Sequence, residues 1–155
     1  MGFQIRGLDP KPFRALFDLS DAELKARGMR RHRADSKPGY PCRASLEDAE
    51  VGEELLLLNY AHHEVNSPYA GNGPIYVRRQ ATEAATYDNR LPPVLVHRLL
   101  SVRAYDAAGM MRDSEVLQGS DLPATIERFF ADPKVGYLHV HNAKPGCFAC
   151  AVVRG

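Results

Sequence analysis

The chain has 155 residues, of which 45% are hydrophobic and 25% are charged, and its formal net charge is +1 at pH 7. These values predict one globular domain, residues 1–155, that buries enough core to fold without a disulfide or a structural metal. A net charge near zero excludes a general attraction to nucleic acid or anionic membrane, so a partner must be recognised by a local site.

The expected cellular compartment is the cytoplasm. The first residues contain no apolar run typical of a signal peptide, and the four leucines at 55–58 are too few to span a bilayer. Cys42, Cys147 and Cys150 are an odd number of cysteines, which favours reduced thiols over a disulfide framework. We therefore expect no membrane partner, and the oligomeric state is left open.

The first half of the chain predicts short helices followed by strands. Ser20 and Glu23 have the spacing of a capping box, and Gly28 stands where a helix would end. The leucines at 55–58 occupy both faces of a predicted strand, which favours a central position in a sheet. The expected elements are a strand at 3–6, helices at 10–18 and 21–27, an extended edge at 29–35, one helical turn at 45–50, and strands at 53–64 and 75–78.

The second half predicts two hairpins separated by a helix. Residues 81–93 are polar and are expected to be irregular, whereas 106–109 has the length and composition of a four-residue hairpin loop. The expected elements are strands at 98–105 and 110–117, a helix at 121–131, and strands at 137–142 and 148–154. Together these elements predict an α+β fold, with a few short helices packed on a mostly antiparallel β-sheet.

The segment HVHNAKPGC at 139–147 holds the densest group of reactive side chains. His139 and His141 share one face of the predicted strand, because side chains alternate between the two faces. If the return strand turns Phe148 and Cys150 into the core, residue 141 is paired with 147 and residue 139 with 149. This register predicts that Cys147 lies beside both histidines and that Cys150 is buried on the other face.

Three interpretations of this segment are open. His139, His141 and Cys147 are a potential zinc ligand set, with Cys42 or water as the fourth ligand. Alternatively, His141 activates Cys147 as a thiolate nucleophile. The third interpretation is structural, with the histidines covering a half-exposed strand. A thioredoxin-like role for Cys147 and Cys150 is excluded because no helix follows the second cysteine. We expect no cofactor, with zinc as the alternative.

Arginines are candidates for binding an anion. Arg43 follows a rigid loop that contains two prolines, and Arg78 lies on the strand after the loop that contains Tyr69. The structural alternative for both arginines is an ordinary ion pair, with Asp48 or Glu53 as the partner. His62 and His63 are adjacent on a strand, so one imidazole is expected on each face.

The only basic cluster lies at 27–33 and raises the possibility of nucleic-acid binding. Aromatic residues for base stacking are absent from it, and a charged edge strand explains the same residues. We therefore do not expect a nucleic-acid partner.

Five segments together are characteristic of a known family: KPGYPCR at 37–43, DAEVGE at 48–53, SPY at 67–69, GPIYVR at 73–78 and HNAKPGC at 141–147. On these segments the chain resembles, over essentially its full length, a bacterial family catalogued only as domain of unknown function 1203. The family name carries no mechanism. The resemblance implies a cleft formed by the loop at 38–43, the loop at 67–74 and the turn at 141–147.

The resemblance also implies which residues are family properties. Recurring segments contain Cys42, Arg43, His141 and Cys147, whereas His139 and Cys150 are positions where this sequence differs from its relatives. A zinc site built on Cys147 and Cys150 would then not belong to the family.

We expect a pocket for a small anionic or carbonyl-bearing metabolite. The expected ligand-binding residues are Cys42, Arg43, Tyr69 and Arg78, and the expected catalytic pair is His141 and Cys147. The alternative is a non-catalytic ligand-binding or interaction module, and enzymatic activity is left open.

Overall fold

The computed structural model describes residues 2–155. Over this range the chain forms nine β-strands in two sheets and four short α-helices. The strands are β1 (Phe3–Arg6), β2 (Arg30–Arg33), β3 (Glu54–His63), β4 (Gly71–Arg78), β5 (Thr86–Asp88), β6 (Leu99–Tyr105), β7 (Met111–Gln118), β8 (Tyr137–Asn142) and β9 (Phe148–Arg154). The helices are α1 (Lys11–Arg14), α2 (Asp21–Ala26), α3 (Pro93–Val96) and α4 (Leu122–Phe130).

The larger sheet has the strand order β5-β1-β9-β8-β6-β7, and all neighbouring strands are antiparallel. Ile126 and Phe130 of α4 join Leu138 and Val140 of β8 in the main hydrophobic core. Because side chains alternate along a strand, His139 and His141 point to the opposite face of the sheet.

The smaller sheet has the order β2-β3-β4 and is also antiparallel. Phe13 and Phe17, from the region of α1, pack with Leu56 and Leu58 of β3 in a second core. The end of β3 approaches the larger sheet on the face away from α4. The candidate functional residues lie along this junction.

The predicted α+β class, with mostly antiparallel strands and short helices, is confirmed. The elements β1, α2, β6, β7, α4, β8 and β9 begin and end within one residue of their expected bounds. The capping box is present, since Glu23 N donates to Ser20 Oγ and Ser20 N donates to Glu23 Oε1. Local rules predicted these elements because each carries its own pattern and boundary residues.

Other local predictions were wrong. Residues 45–50 are irregular rather than helical, because Leu46 has a φ of 56°, outside the right-handed helical region. β4 begins at Gly71 rather than Ile75, and its Pro74 is tolerated because β4 is an edge strand. The polar segment 81–93 contains β5, which is held by its pairing with β1.

None of the helices within residues 2–155 is long and apolar enough to cross a membrane.

Candidate functional site

A cavity of about 630 Å³ opens where the smaller sheet meets the turn between β8 and β9. We call it the Arg43–Cys147 pocket. It is lined by Gly39, Pro41, Arg43, Leu57, Pro74, Tyr76, His97, Arg98, Leu99, Asn142, Lys144, Pro145 and Cys147. This lining contains the basic side chains of Arg43, Arg98 and Lys144 and no carboxylate.

Backbone hydrogen bonds hold the loop that carries Arg43. The N–H of Cys42 donates to the Glu47 carbonyl over 3.0 Å, and the N–H of Arg43 donates to the Tyr76 carbonyl over 3.0 Å. The second bond fixes the loop to β4, in agreement with the parallel bridge between Cys42 and Tyr76. The Arg43 side chain therefore leaves a fixed backbone position and is directed towards β9.

A closed turn carries Cys147. The N–H of Asn142 donates to the Cys147 carbonyl over 2.9 Å, and the N–H of Gly146 donates to the Asn142 carbonyl over 2.8 Å. Gly146 has a φ of 80°, a left-handed conformation that glycine adopts without steric cost. The turn leaves the Cys147 thiol half-buried at the wall of the pocket.

Arg43 is a buried guanidinium without a carboxylate partner in the described chain, and it is only 3% exposed. Its Nε donates to the Phe148 carbonyl over 2.8 Å, and its Nη1 donates to the Pro41 carbonyl over 2.6 Å. Its Nη2 donates to Cys147 Sγ over 3.1 Å. Burial lowers the pKa of Arg43, whereas the neighbouring Cys147 and Cys42 sulfurs raise it.

The Cys147 sulfur accepts hydrogen bonds from two side chains. The second donor is Asn142 Nδ2, at 3.5 Å. The guanidinium donor is charged and closer to the sulfur, whereas the amide donor is neutral, so the contact with Arg43 is the stronger of the two. Asn142 Oδ1 is buried and has no hydrogen-bond partner in the described chain, so it is available as an acceptor for a ligand.

Arg78 lies outside this pocket and has its own acidic partner. Its Nε donates to Glu53 Oε1 over 2.8 Å, and its Nη1 lies 3.2 Å from Ser45 Oγ. Asp48, the other expected partner, instead holds Arg98 through two bonds of 3.1 and 2.7 Å. The structural ion pair anticipated for both arginines is therefore found for Arg78 but not for Arg43.

The other two expected ligand-binding residues also lie away from the pocket. Cys42 is 1% exposed in the core of the smaller sheet, where its sulfur accepts from the N–H of Arg78 over 3.3 Å. Tyr69 is an exposed side chain whose carbonyl lies 2.7 Å from His63 Nδ1. Of the loop at 67–74, only Pro74 reaches the pocket lining.

The predicted register of the closing hairpin was wrong. His139 is paired with Ala151 and His141 with Phe148, because a bulge shifts the register between Val140 and His141. Cys147 therefore does not lie beside the two histidines. The expectation for Cys150 is confirmed, since it is fully buried in the main core, and burial raises the pKa of its thiol to about 12.

His62, His139 and His141 form a second polar group, which we call the histidine cluster. One ring nitrogen from each residue lies within 4.8 Å of one from each of the others. His139 and His141 are 6% and 1% exposed, and the His62 ring stacks on Phe148 with a centroid distance of 5.3 Å. The cluster joins β3 of the smaller sheet to β8 of the larger one.

Strand alternation predicted that the neighbouring His62 and His63 point to opposite faces. In the structure they do not. Both rings contact His139, with centroid distances of 6.3 Å for His62 and 4.9 Å for His63. The reason is a register shift in β3 between Tyr60 and His63. This shift brings His62 into the cluster, where sequence periodicity did not place it.

The histidines are held in the neutral form. Burial, followed by the neighbouring His63, His141 and His62, lowers the pKa of His139 to about 3. Burial also lowers the pKa of His141 to about 4, although the hydrogen bond to the Gly146 carbonyl opposes this effect. His62 has its pKa lowered by burial and by the adjacent His63.

The expected zinc ligand set of His139, His141 and Cys147 is not brought together. The His141 ring uses Nδ1 to contact the Gly146 carbonyl at 3.0 Å, and its Nε2 faces no protein partner in the described chain. Cys147 contacts Arg43 and Asn142 instead.

The family model described as "Protein of unknown function (DUF1203)" matches residues 39–154 of the chain. The chain belongs to the DUF1203 family. No curated protein and no solved structure matches it. The DUF1203 match includes both the Arg43–Cys147 pocket and the histidine cluster. The family description assigns no activity, so a function must be argued from the geometry of these two groups.

Proposed function

We propose that this DUF1203 protein binds a small anionic, carbonyl-bearing metabolite in the Arg43–Cys147 pocket and that the Cys147 thiolate adds to the carbonyl carbon. One observation carries the proposal: a buried guanidinium has the Cys147 sulfur as its side-chain partner and no carboxylate in the described chain. A buried charge without a counter-charge is costly, and the Cys147 sulfur, 3.1 Å from Arg43 Nη2, would supply that counter-charge as a thiolate.

The pocket supports an anionic ligand through its remaining cations. The Lys144 ammonium lines the cavity and has no hydrogen-bond or ion-pair partner among residues 2–155. Arg98 is neutralised by Asp48, so it contributes less. A carboxylate or phosphate group of a ligand would therefore be attracted to the Lys144 side of the pocket.

The addition step needs no oxidant, reductant or cofactor. The sulfur lone pair forms a C–S bond, the carbonyl π electrons move to oxygen, and the resulting alkoxide takes a proton from water or from Lys144. Asn142 Oδ1, a buried acceptor without a protein partner in the described chain, would accept a hydrogen bond from the new hydroxyl group. His141 has no direct part in this step, because its ring nitrogens contact neither Cys147 nor the pocket.

The test compares alkylation of native protein by iodoacetate, which is anionic, and by iodoacetamide, which is neutral, with each modified cysteine located by mass spectrometry. At about pH 7 an ordinary thiol, with a pKa of about 8.5, is only a few per cent thiolate. We expect Cys147 to react with both reagents faster than glutathione does. We also expect its iodoacetate-to-iodoacetamide rate ratio to exceed that of glutathione by about 3-fold or more.

The matched control is Lys144→Gln, which should lower the rate ratio at Cys147 and leave the iodoacetamide rate unchanged. Protection of Cys147 by glyoxylate, but not by inorganic phosphate alone, would support addition to a carbonyl. Protection by phosphate and glyoxylate alike, with both recovered unchanged, would favour the non-catalytic binding module. A Cys147 that reacts like glutathione with both reagents would contradict the proposal.

A further inference from the structure

Three buried ring nitrogens of the histidine cluster have no hydrogen-bond partner in the described chain, and a purely structural role does not explain them. His62 Nδ1, His139 Nδ1 and His141 Nε2 are each buried and have no hydrogen-bond partner in the described chain. A buried polar atom is normally paired, so an unpaired one needs an explanation. Here the three such atoms belong to three residues that each place one ring nitrogen within 4.8 Å of the others.

We infer that His62, His139 and His141 bind a divalent transition-metal ion, with Zn²⁺ the best match. Three neutral imidazoles are a preferred ligand set for Zn²⁺. With Zn–N distances of about 2.0–2.1 Å, a tetrahedral ion needs nitrogens about 3.4 Å apart. The separations here are at most 4.8 Å, so the site must contract by about 1.4 Å or less to hold the ion.

His141 makes the hydrogen bond to a backbone carbonyl that is typical of a metal-binding histidine. Its Nδ1 lies 3.0 Å from the Gly146 carbonyl, and because a carbonyl only accepts, Nδ1 carries the proton. The lone pair is therefore on Nε2, the nitrogen that has no protein partner in residues 2–155. Metal-binding histidines typically donate their second ring N–H to a backbone carbonyl in this way.

His63 is excluded as a fourth ligand because both of its nitrogens are engaged. Its Nδ1 lies 2.7 Å from the Tyr69 carbonyl and its Nε2 lies 2.7 Å from the Tyr137 hydroxyl. Three protein ligands leave one coordination position for water or for an exogenous ligand, as in catalytic rather than structural zinc sites. Access is from the side of His62, which is half-buried, whereas His139 and His141 are buried.

The positive charge of Arg103, next to the site, favours an anionic fourth ligand. Arg103 of β6 is paired directly with His139 of β8, so the two side chains share a face of the sheet. A guanidinium beside a dication favours an anion at the open position, such as hydroxide or azide.

The inference is tested with untagged protein that has been dialysed against EDTA and then titrated with Zn²⁺, and separately with Co²⁺ as a spectroscopic probe. We expect one ion per chain and, with Co²⁺, the intense visible absorption of a four-coordinate site. His62→Gln should weaken Zn²⁺ binding by about 100-fold or more. His62 is the least buried ligand, so this variant should fold, and a far-UV circular dichroism spectrum checks that it does.

Two matched variants make the result decisive. His97→Gln, an exposed histidine outside the cluster, should leave Zn²⁺ affinity unchanged. Cys147→Ser should also leave it unchanged, which separates this site from a His139, His141 and Cys147 site and from the chemistry proposed for the pocket. The inference is overturned if wild-type protein binds less than one Zn²⁺, if His62→Gln binds like wild type, or if Cys147→Ser loses binding.

Discussion

The Arg43–Cys147 pocket and the histidine cluster are both buried polar groups, yet they differ in what their protein partners leave unsatisfied. In the pocket, the buried guanidinium of Arg43 has no carboxylate partner in the described chain, and this is the basis for the anion proposed there. In the cluster, one buried ring nitrogen of each histidine has no hydrogen-bond partner in the described chain, and this is the basis for the metal ion inferred there. The comparison shows that burial alone does not mark a functional group, since Arg78 is also largely buried but is neutralised by Glu53.

The largest expected effect is a loss of stability on acidification that arises in the histidine cluster. The folded-state pKa values of His139 and His141, about 3 and about 4, lie below the ordinary value of about 6.5. As the pH falls below about 6.5, the unfolded chain therefore binds protons first, and the folded state loses relative stability until the pH reaches about 3–4. At about pH 5 we expect about 2 kcal/mol per histidine, or about 4 kcal/mol together.

Urea unfolding of EDTA-treated protein at about pH 7.5 and about pH 5 measures this loss. His139→Gln should reduce the difference between the two pH values to about half, because one of the two groups no longer titrates. His97→Gln should leave the difference unchanged. If wild type and His139→Gln lose the same unfolding free energy between the two pH values, the acid sensitivity does not arise from His139. The histidine cluster would then not differ from the pocket in its response to pH.

The next effect is expected at Arg43. Arg43→Met retains the apolar stem but removes the donors to the Phe148 and Pro41 carbonyls. We expect the free energy of unfolding to fall by about 2–4 kcal/mol, since buried carbonyls lose their partners. The measurement is urea unfolding at about pH 7.5, combined with the rate of iodoacetamide reaction at Cys147.

Arg43→Lys is the matched control, because it keeps the positive charge and loses the planar arrangement of donors. It should react faster at Cys147 than Arg43→Met does. If Arg43→Met is folded and its Cys147 reacts as fast as in wild type, the guanidinium is not the counter-charge of the thiolate.

The smallest expected effect is the difference in unfolding free energy between serine variants of two cysteines that lie three residues apart. Cys150→Ser places a hydroxyl in the main core and should cost about 1–3 kcal/mol of unfolding free energy. Cys147→Ser should cost less than about 0.5 kcal/mol, because a serine oxygen accepts the bonds from Arg43 and Asn142. Equal losses in urea unfolding would show that Cys147 is part of the packed interior and not of an open pocket.

Much of the fold could be predicted from the sequence because its signals are local. The capping box at Ser20 and Glu23, and the alternation along β8, each depend on a few neighbouring residues. β5 was missed because three residues of an edge strand carry almost no pattern of their own and are held by pairing with β1. The division of the strands into two sheets likewise depends on long-range packing.

The candidate site was predictable only in part, for a physical reason. Arg43 and Cys147 could be selected as reactive residues, but their contact joins positions 104 residues apart in the chain. The position of His62 depends on a register shift in β3, and that of Cys147 on a bulge between β8 and β9. A one-residue shift moves every later side chain to the other face, so perfect alternation gave the wrong partners in both places.

The position of β9 between β1 and β8 also constrains the order of folding. Its pairing with β1 brings Phe3 next to Arg154, so the larger sheet has contacts between opposite ends of the chain. Such contacts form slowly, because a long loop must close before they contribute. The pairs β3–β4, β6–β7 and β8–β9 join nearer segments and are expected to form first. The contacts of Arg43 and His62 with β8 and β9 join distant segments, so we expect both candidate sites to be completed late in folding.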